Sequence, residues 1–334
     1  MTEEHGREHL CRGGDGTALR GRIWECADPE GLVVIRTPYD ADQHETTARS
    51  WNARGYHCLV QDVRGRYRSA GAWSPYAHEG DDGGRVIAHL LDEYDGLPLV
   101  LFGASYAAHT ALEAARAVTR EGASPVSAII ALVPALGLAE TAWDAQGSPQ
   151  IPHRIGWWHE HGRHRRSRPP LPAGELDRRV AQARERGVVE AAEHWGWSPS
   201  ALTGWRRLWS AERVDLASRY GHIDVPLLVI SGDDDFFHDD ARRLARAWSA
   251  PNHFASGPWG HRLAAGVADP TLRSGIRAAG GLTHIIDPWL AAQGLPGAPA
   301  EWTGILTAAS VSASRTRSTL DPASGAWRHE RTSP

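Results

Sequence analysis

The sequence predicts an α/β protein, a mainly parallel, doubly wound sheet interrupted by one long helical insertion. Short apolar runs recur along the chain, and several are continuous rather than alternating, as strands covered on both faces require. Helix-forming stretches separate these runs, and alternation of that kind builds parallel sheets. Between about residues 136 and 222 the rhythm stops, and no strand-like run occurs.

Taken in order, strands are expected at 17–25 (TALRGRIWE), 32–37 (LVVIRT), 57–63 (HCLVQDV), 97–103 (LPLVLFG), 127–134 (SAIIALVP), 226–232 (PLLVISG) and 252–257 (NHFASG). Helices are expected at 41–54, 80–94, 106–120 and 239–249. Residues 1–135 and 223–295 would form the core, and 136–222 a helical cap over one edge of the sheet. The cap segment holds seven of the fifteen tryptophans. Among them Trp143, Trp157, Trp158, Trp205 and Trp209 either line an apolar substrate pocket or cement the cap to the core. Trp259 is a further candidate substrate contact. Residues 296–334, rich in Pro, Ser, Thr and Ala, read as a loose tail with room for one short strand at ILTAASVSA (305–313).

Composition narrows the function. A net charge of −4 over 334 residues provides no strong field for nucleic acid or an anionic membrane. The start, MTEEHGREHLCRGG, lacks the basic and apolar regions of a secretory signal, and no run approaches a membrane span, so a cytoplasmic protein is expected. Cys11, Cys26 and Cys58 are odd in number and widely spaced, unlike a disulfide framework or a zinc site. All 36 basic residues are arginine, which excludes Schiff-base chemistry, a pyridoxal phosphate anchor and a P-loop lysine. No cofactor or metal is expected, and the expected partner is a small-molecule or peptide-like substrate. The sequence is silent on oligomeric state.

The chemistry concentrates at LVLFGASYAAHTALEAARAV, residues 99–118, where a lone serine stands between a strand-like run and a helix-like run. Gly103, Ala104, Ala107 and Ala108 supply the small neighbours that a sharp strand-to-helix elbow needs around Ser105. A nucleophilic serine needs a base, and the base needs an orienting carboxylate. Asp233, Asp234 and Asp235 follow the apolar strand at 226–232, and His261 follows the next one, in the order serine, acid, histidine of α/β-hydrolases.

Most of the chain resembles the CocE/NonD-type hydrolases, which include cocaine-esterase-like enzymes and Xaa-Pro dipeptidyl peptidases. The resemblance is carried by DGTALRGRIW, VIRTPYD, GYHCLVQDVRGRYRSAG, PY, EGDDG, GASY, DVPLLVISGDDDFF, SGPWGH and HIIDPWLAAQG, over roughly 12–145 and 220–295. It implies an α/β-hydrolase fold with Ser105 as nucleophile, His261 as general base and Asp235 as the third member. It also implies that Tyr39 donates its hydroxyl, and Tyr106 its backbone N–H, to an oxyanion. Three departures stand out: Ala108 where the family has Gly, an acidic Gly232-Asp233-Asp234-Asp235 where it has G-W-Y-D, and an expected lack of most of the family's C-terminal β-sandwich domain.

The expected function is a serine hydrolase that cleaves a carboxylic ester, thioester, lactone or amide through an acyl-enzyme. The alternative is a hydrolase-fold protein acting without hydrolysis, as an epimerase, cyclase or binding protein. Asp62 and Arg64 read as a structural pair, and His109 as a packing residue. His159, His161 and His164 have ligand-like spacing but read as a solvated cap loop. Arg163, Arg165, Arg166 and Arg168 either receive a substrate carboxylate or lie exposed.

Overall fold

The computed structural model describes residues 6–120, 123–278, 280–297, 315–321 and 327–332. Its strands are β1 (Arg7–Arg12), β2 (Ala18–Trp24), β3 (Gly31–Thr37), β4 (Tyr56–Asp62), β5 (Leu99–Ala104), β6 (Val126–Leu132), β7 (Leu227–Gly232), β8 (Asn252–Gly257), β9 (Arg315–Leu320) and β10 (Trp327–Thr332). They form one sheet in the order β1-β2-β4-β3-β5-β6-β7-β8-β9-β10. Pairing is parallel from β4 through β9, while β1, β2 and β10 run antiparallel to their neighbours.

Every residue of β3, β4, β7 and β8 is buried, as strands covered on both faces are, and LVVI of β3 and LLVI of β7 accordingly read as continuous apolar runs. β1 instead alternates buried and exposed positions, as an edge strand covered on one face does. On one face of the sheet, α2 (Glu79–Glu93) and α3 (Tyr106–Val118) pack over Leu32, Leu101, Ile129 and Val229. On the other, α1 (Glu45–Asn52) contributes Ala48 and Trp51 to a core with Val33, Val100 and Ile130.

Between β6 and β7 lie six helices and, among the described residues, no strand: α4 (Leu138–Ala142), α5 (Ile151–Trp157), α6 (Ala173–Arg186), α7 (Val188–Glu193), α8 (Pro199–Ser210) and α9 (Leu216–Tyr220). A π turn, Trp158–Gly162, extends α5. α5 to α8 close over a third apolar cluster built on Ile155, Trp158, Trp197, Trp205 and Trp209. After β7 come α10 (His238–Ala247), α11 (Pro270–Ala278) and α12 (Thr283–Ala292).

One expectation about the fold needs correction. The segment 296–334 is not simply a loose tail: β9 pairs with β8 and β10 with β9, and Ser318 and Leu320 are buried. The strand expected at 305–313 lies outside the described residues. β1, unread in the sequence, begins the sheet.

Candidate active site

β5 ends at Ala104, and the chain turns at Ser105 into α3. Ser105 adopts φ 56° and ψ −118°, outside the ordinary wells of an L residue, a conformation costing about 1–3 kcal/mol that surrounding contacts must over-determine. Those contacts are present. Ser105 donates its N–H to the Leu132 carbonyl at 2.8 Å, and its own carbonyl accepts from Ala108 at 3.1 Å and Ala135 at 3.2 Å. Gly103 is obligatory, because a Cβ there would lie 2.2 Å from the Ala107 backbone. The turn therefore exposes a hydroxyl at the C-terminal edge of the sheet, where ligands bind in open α/β folds.

β7 and β8 are adjacent and parallel, so the loops after them emerge at the same edge. The first carries Asp235 and the second His261. The distance from Ser105 Oγ to His261 Nε2 is 3.0 Å, and that from His261 Nδ1 to Asp235 Oδ1 is 2.9 Å. Asp235 also accepts from the Phe237 backbone N–H at 3.3 Å, while its Oδ2 is buried without a protein partner. Asp233 and Asp234 are exposed turn residues.

The imidazole is held by rings as well as by the carboxylate. Phe236 stacks on His261 at 4.4 Å, His153 stacks on the other face of Phe236 at 4.4 Å, and Phe237 meets His261 edge-on at 5.3 Å. The His261 loop is bolted down by Trp259, whose Nε1 donates to the Ser231 carbonyl at 2.9 Å. A Cβ at Gly232 would lie 1.9 Å from the Trp259 carbonyl, so the acid loop and the histidine loop pack backbone to backbone.

Tyr39 lies in the loop after β3. Burial raises its phenol above the ordinary value, opposed by the side chains of Trp157 and Ser105, so the hydroxyl stays protonated. Trp157 Nε1 donates to Tyr39 Oη at 3.0 Å, which leaves the phenolic proton free to point elsewhere. Tyr106, the first residue of α3, has a backbone N–H with no intrahelical acceptor. Its hydroxyl donates to Glu79 and accepts from the Tyr76 N–H at 2.7 Å, which fixes the ring beneath the turn.

The QDVRGR motif holds the Tyr39 loop, but not as the expected ion pair. Asp62 accepts from the backbone N–H groups of Ala41 (2.9 Å) and Arg68 (3.2 Å), and burial pushes its carboxyl up to about 6. Arg64 pairs with Asp82 and Asp15 instead. Arg66 donates to the Pro38 carbonyl at 2.8 Å and reaches the cap at the His161 carbonyl and Ser167 Oγ.

A cavity of about 560 Å³ opens at Ser105, lined by residues that include Ile35, Tyr39, Phe102, Tyr106, Trp157, Phe237 and His261. Of the expected tryptophan contacts only Trp157 lines it. Trp158, Trp205 and Trp209 are buried in the cap's own core, Trp143 packs edge-on to Trp209 at 5.4 Å, and Trp259 is the loop bolt just described. His109 packs against Tyr76 and Tyr106, as expected.

The loop with His159, His161 and His164 is not freely solvated. Trp73 donates to the His161 carbonyl at 2.8 Å, Tyr67 donates to Ser167 Oγ at 2.6 Å, and His161 lines the cavity, its imidazole pushed down to about 4 by burial beside Arg66. None of Arg163, Arg165, Arg166 or Arg168 lines the cavity. Arg154 does, and sequence reasoning missed it. The signal was available: Ile151, Arg154, Ile155 and Trp158 form one helical stripe, so this arginine occupies a core-facing position. Among the described residues one group of three possible metal donors converges, His9, His89 and Glu93, with ligand atoms within 4.8 Å of one another. It sits on β1 and α2, apart from the cavity lining. No helix among the described residues is long and apolar enough to cross a membrane.

Residues 15–262 match the family described as X-Pro dipeptidyl-peptidase (S15 family). No curated protein matches the chain. Among solved structures, an aminopeptidase from a marine sediment archaeon (Thaumarchaeota archaeon) superposes with a TM-score of 0.68 at 18% identity, covering 96% of this chain and 58% of its own. An α-amino acid ester hydrolase gives 0.62 at 16% identity, covering 98% of this chain and 58% of its own. A Pyrococcus furiosus esterase gives 0.53 at 14% identity, over 83% and 90%. The chain thus spans 58% of the length of the first two, and the fold it shares with all three is that of the α/β-hydrolases.

Proposed function

The chain belongs to the X-Pro dipeptidyl-peptidase family S15, a family of hydrolases, and on that premise we propose that it cleaves a carboxylic ester or a related acyl bond through an acyl-enzyme on Ser105. The observation that carries this reading is the unbroken contact chain of 3.0 Å and 2.9 Å from Ser105 through His261 to Asp235. His261 Nε2 takes the hydroxyl proton as Ser105 Oγ attacks the acyl carbon, while Asp235 fixes the tautomer and stabilises the imidazolium. The resulting oxyanion receives the Tyr39 hydroxyl and the Tyr106 N–H, donors whose individual loss costs about 3 kcal/mol of transition-state stabilisation. His261 then returns its proton to the leaving group, and water activated by the same imidazole releases the acid and frees Ser105.

The experiment is active-site labelling. A fluorophosphonate should modify Ser105, with the adduct located by peptide mass spectrometry, and should abolish turnover of activated esters in parallel. An active, folded preparation that resists labelling would overturn the proposal. The non-hydrolytic alternative predicts no change in mass (epimerisation) or loss of water (cyclisation), where hydrolysis adds water.

A further inference from the structure

Arg154 is 5% exposed, yet it lines the cavity that contains Ser105. Its buried Nε has no partner, and among the described residues no carboxylate lies within ion-pair distance of its guanidinium. The acidic residue of the described cavity wall, Glu160, stands 3.7 Å from His161 and makes no ion pair with Arg154. What surrounds the guanidinium is aromatic: the rings of Trp157 and Phe237, each 5.9 Å away, with the phenols of Tyr39 and Tyr76 nearby.

Two other buried arginines show what is unusual here. Arg36 donates to the Gln61 side chain at 3.0 Å and the Glu79 carbonyl at 2.7 Å, and its remaining buried nitrogen, which makes no hydrogen bond, faces the Asp82 carboxylate at 3.9 Å. Arg66, fully buried and also without a carboxylate, spends its donors on Pro38, His161 and Ser167. Arg154 has neither compensation. A guanidinium does not discharge in proteins, and a buried charge is normally paired. Ring contacts near the outer limit of cation–π range are weak, and a Met or Leu would fill the same space without desolvating a charge.

We propose that Arg154 anchors a carboxylate carried by the substrate, so that Ser105 attacks an acyl compound with a negatively charged group elsewhere in the molecule. This rests on the hydrolase reading above and supplies its substrate class. The planar fork of one guanidinium matches a carboxylate bidentately, whereas a phosphate dianion calls for a second cation at the same depth. The cavity volume suits a small dicarboxylic half-ester or a similar compound. A substrate bearing an ammonium group would meet Arg154 directly and be disfavoured.

The test uses the full chain with the 4-nitrophenyl half-esters of glutarate and adipate, each against the neutral straight-chain ester of equal acyl length. Wild type should favour the half-esters in kcat/KM by about tenfold or more, Arg154→Gln should collapse that ratio, and Arg154→Lys should keep part of it. In parallel, calorimetry on the Ser105→Ala variant should show glutarate binding better than glutaramide, and the advantage should vanish in Ser105→Ala/Arg154→Gln. Equal rates on charged and neutral esters, or a preference that survives Arg154→Gln, would overturn the assignment. If Arg154→Gln does not fold, Arg154→Lys and the wild-type ratio decide. Arg154-dependent glutarate binding together with no ester turnover and no labelling of Ser105 would sink the hydrolase reading while leaving the anion site standing.

Discussion

The sheet edge and the cap make the same cavity by different means. At the sheet edge, backbone does the positioning: Ser105 sits at φ 56°, Gly103 and Gly232 leave no room for a Cβ, and three loops emerge from parallel strands. In the cap, bulk does it. Trp205, fully buried, meets Trp158 at 5.8 Å, Trp195 at 6.3 Å, Trp197 at 5.2 Å and Trp209 at 5.4 Å, and its Nε1 donates to the Val188 carbonyl at 2.7 Å. The backbone-built half brings the reactive atoms within 3.0 Å of one another along the chain from Ser105 to His261 to Asp235. The packing-built half fixes a wall, to which Thr141, His153, Arg154, Trp157, Glu160 and His161 contribute.

The contrast can be broken at either half. The largest expected effect is at the sheet edge: Ser105→Ala and Asp235→Asn should each lower kcat on an activated ester by about 10⁴-fold, with the thermal midpoint essentially unchanged. Next comes the cap, where Trp205→Ala should destabilise by about 3–5 kcal/mol. Denaturant unfolding followed by tryptophan fluorescence would read it, and if cap and core are separately packed the first transition should precede loss of the sheet's far-UV signal. A single coincident transition would show that the two halves fold as one.

Tyr39→Phe tests the junction between them and should reduce kcat by about 10²–10³-fold with little change in KM. Trp157→Phe removes the donor that orients Tyr39 and trims a ring that stacks on Tyr106 and faces Arg154, and a smaller loss of about tenfold is expected. A comparable loss from both variants would mean that Trp157 contributes more than orientation.

The smallest effect concerns pH. Glu113 on α3 accepts from Arg219 Nε and the Tyr220 hydroxyl of α9, both at 2.7 Å, where the cap segment returns to the core. Burial would raise this carboxyl, but the charges of His109 and Arg219 and the hydrogen bonds from α9 outweigh it and hold it at about 2. A folded-state value below the unfolded one stabilises the protein above about pH 4.5, and that contribution is lost as pH falls toward 2. Glu113→Gln should therefore flatten the acid limb of stability measured by urea unfolding; an unchanged acid limb would show that this joint contributes nothing.

The seven expected strands and the four core helices appear near their expected places because continuous apolar runs and 3.6-residue periodicity are local properties. β9 and β10 were illegible for a local reason. RTRSTL and WRHERT carry no apolar alternation, and the buried Ser318 is satisfied by His253 Nε2 at 2.7 Å from β8, a partner 65 residues away.

What the sequence determined by itself was the succession of the seven strands β2 to β8 along the chain, the sharp turn at Ser105 and the succession of serine, acid and histidine behind apolar strands. Each depends on neighbours within a few residues. Only tertiary structure decided which tryptophans are mortar and which one is wall, that Arg66 is satisfied while Arg154 is not, and that Asp62 holds a loop rather than Arg64. Periodicity states that a side chain is buried; whether its polar atoms find partners there depends on elements brought together from distant parts of the chain.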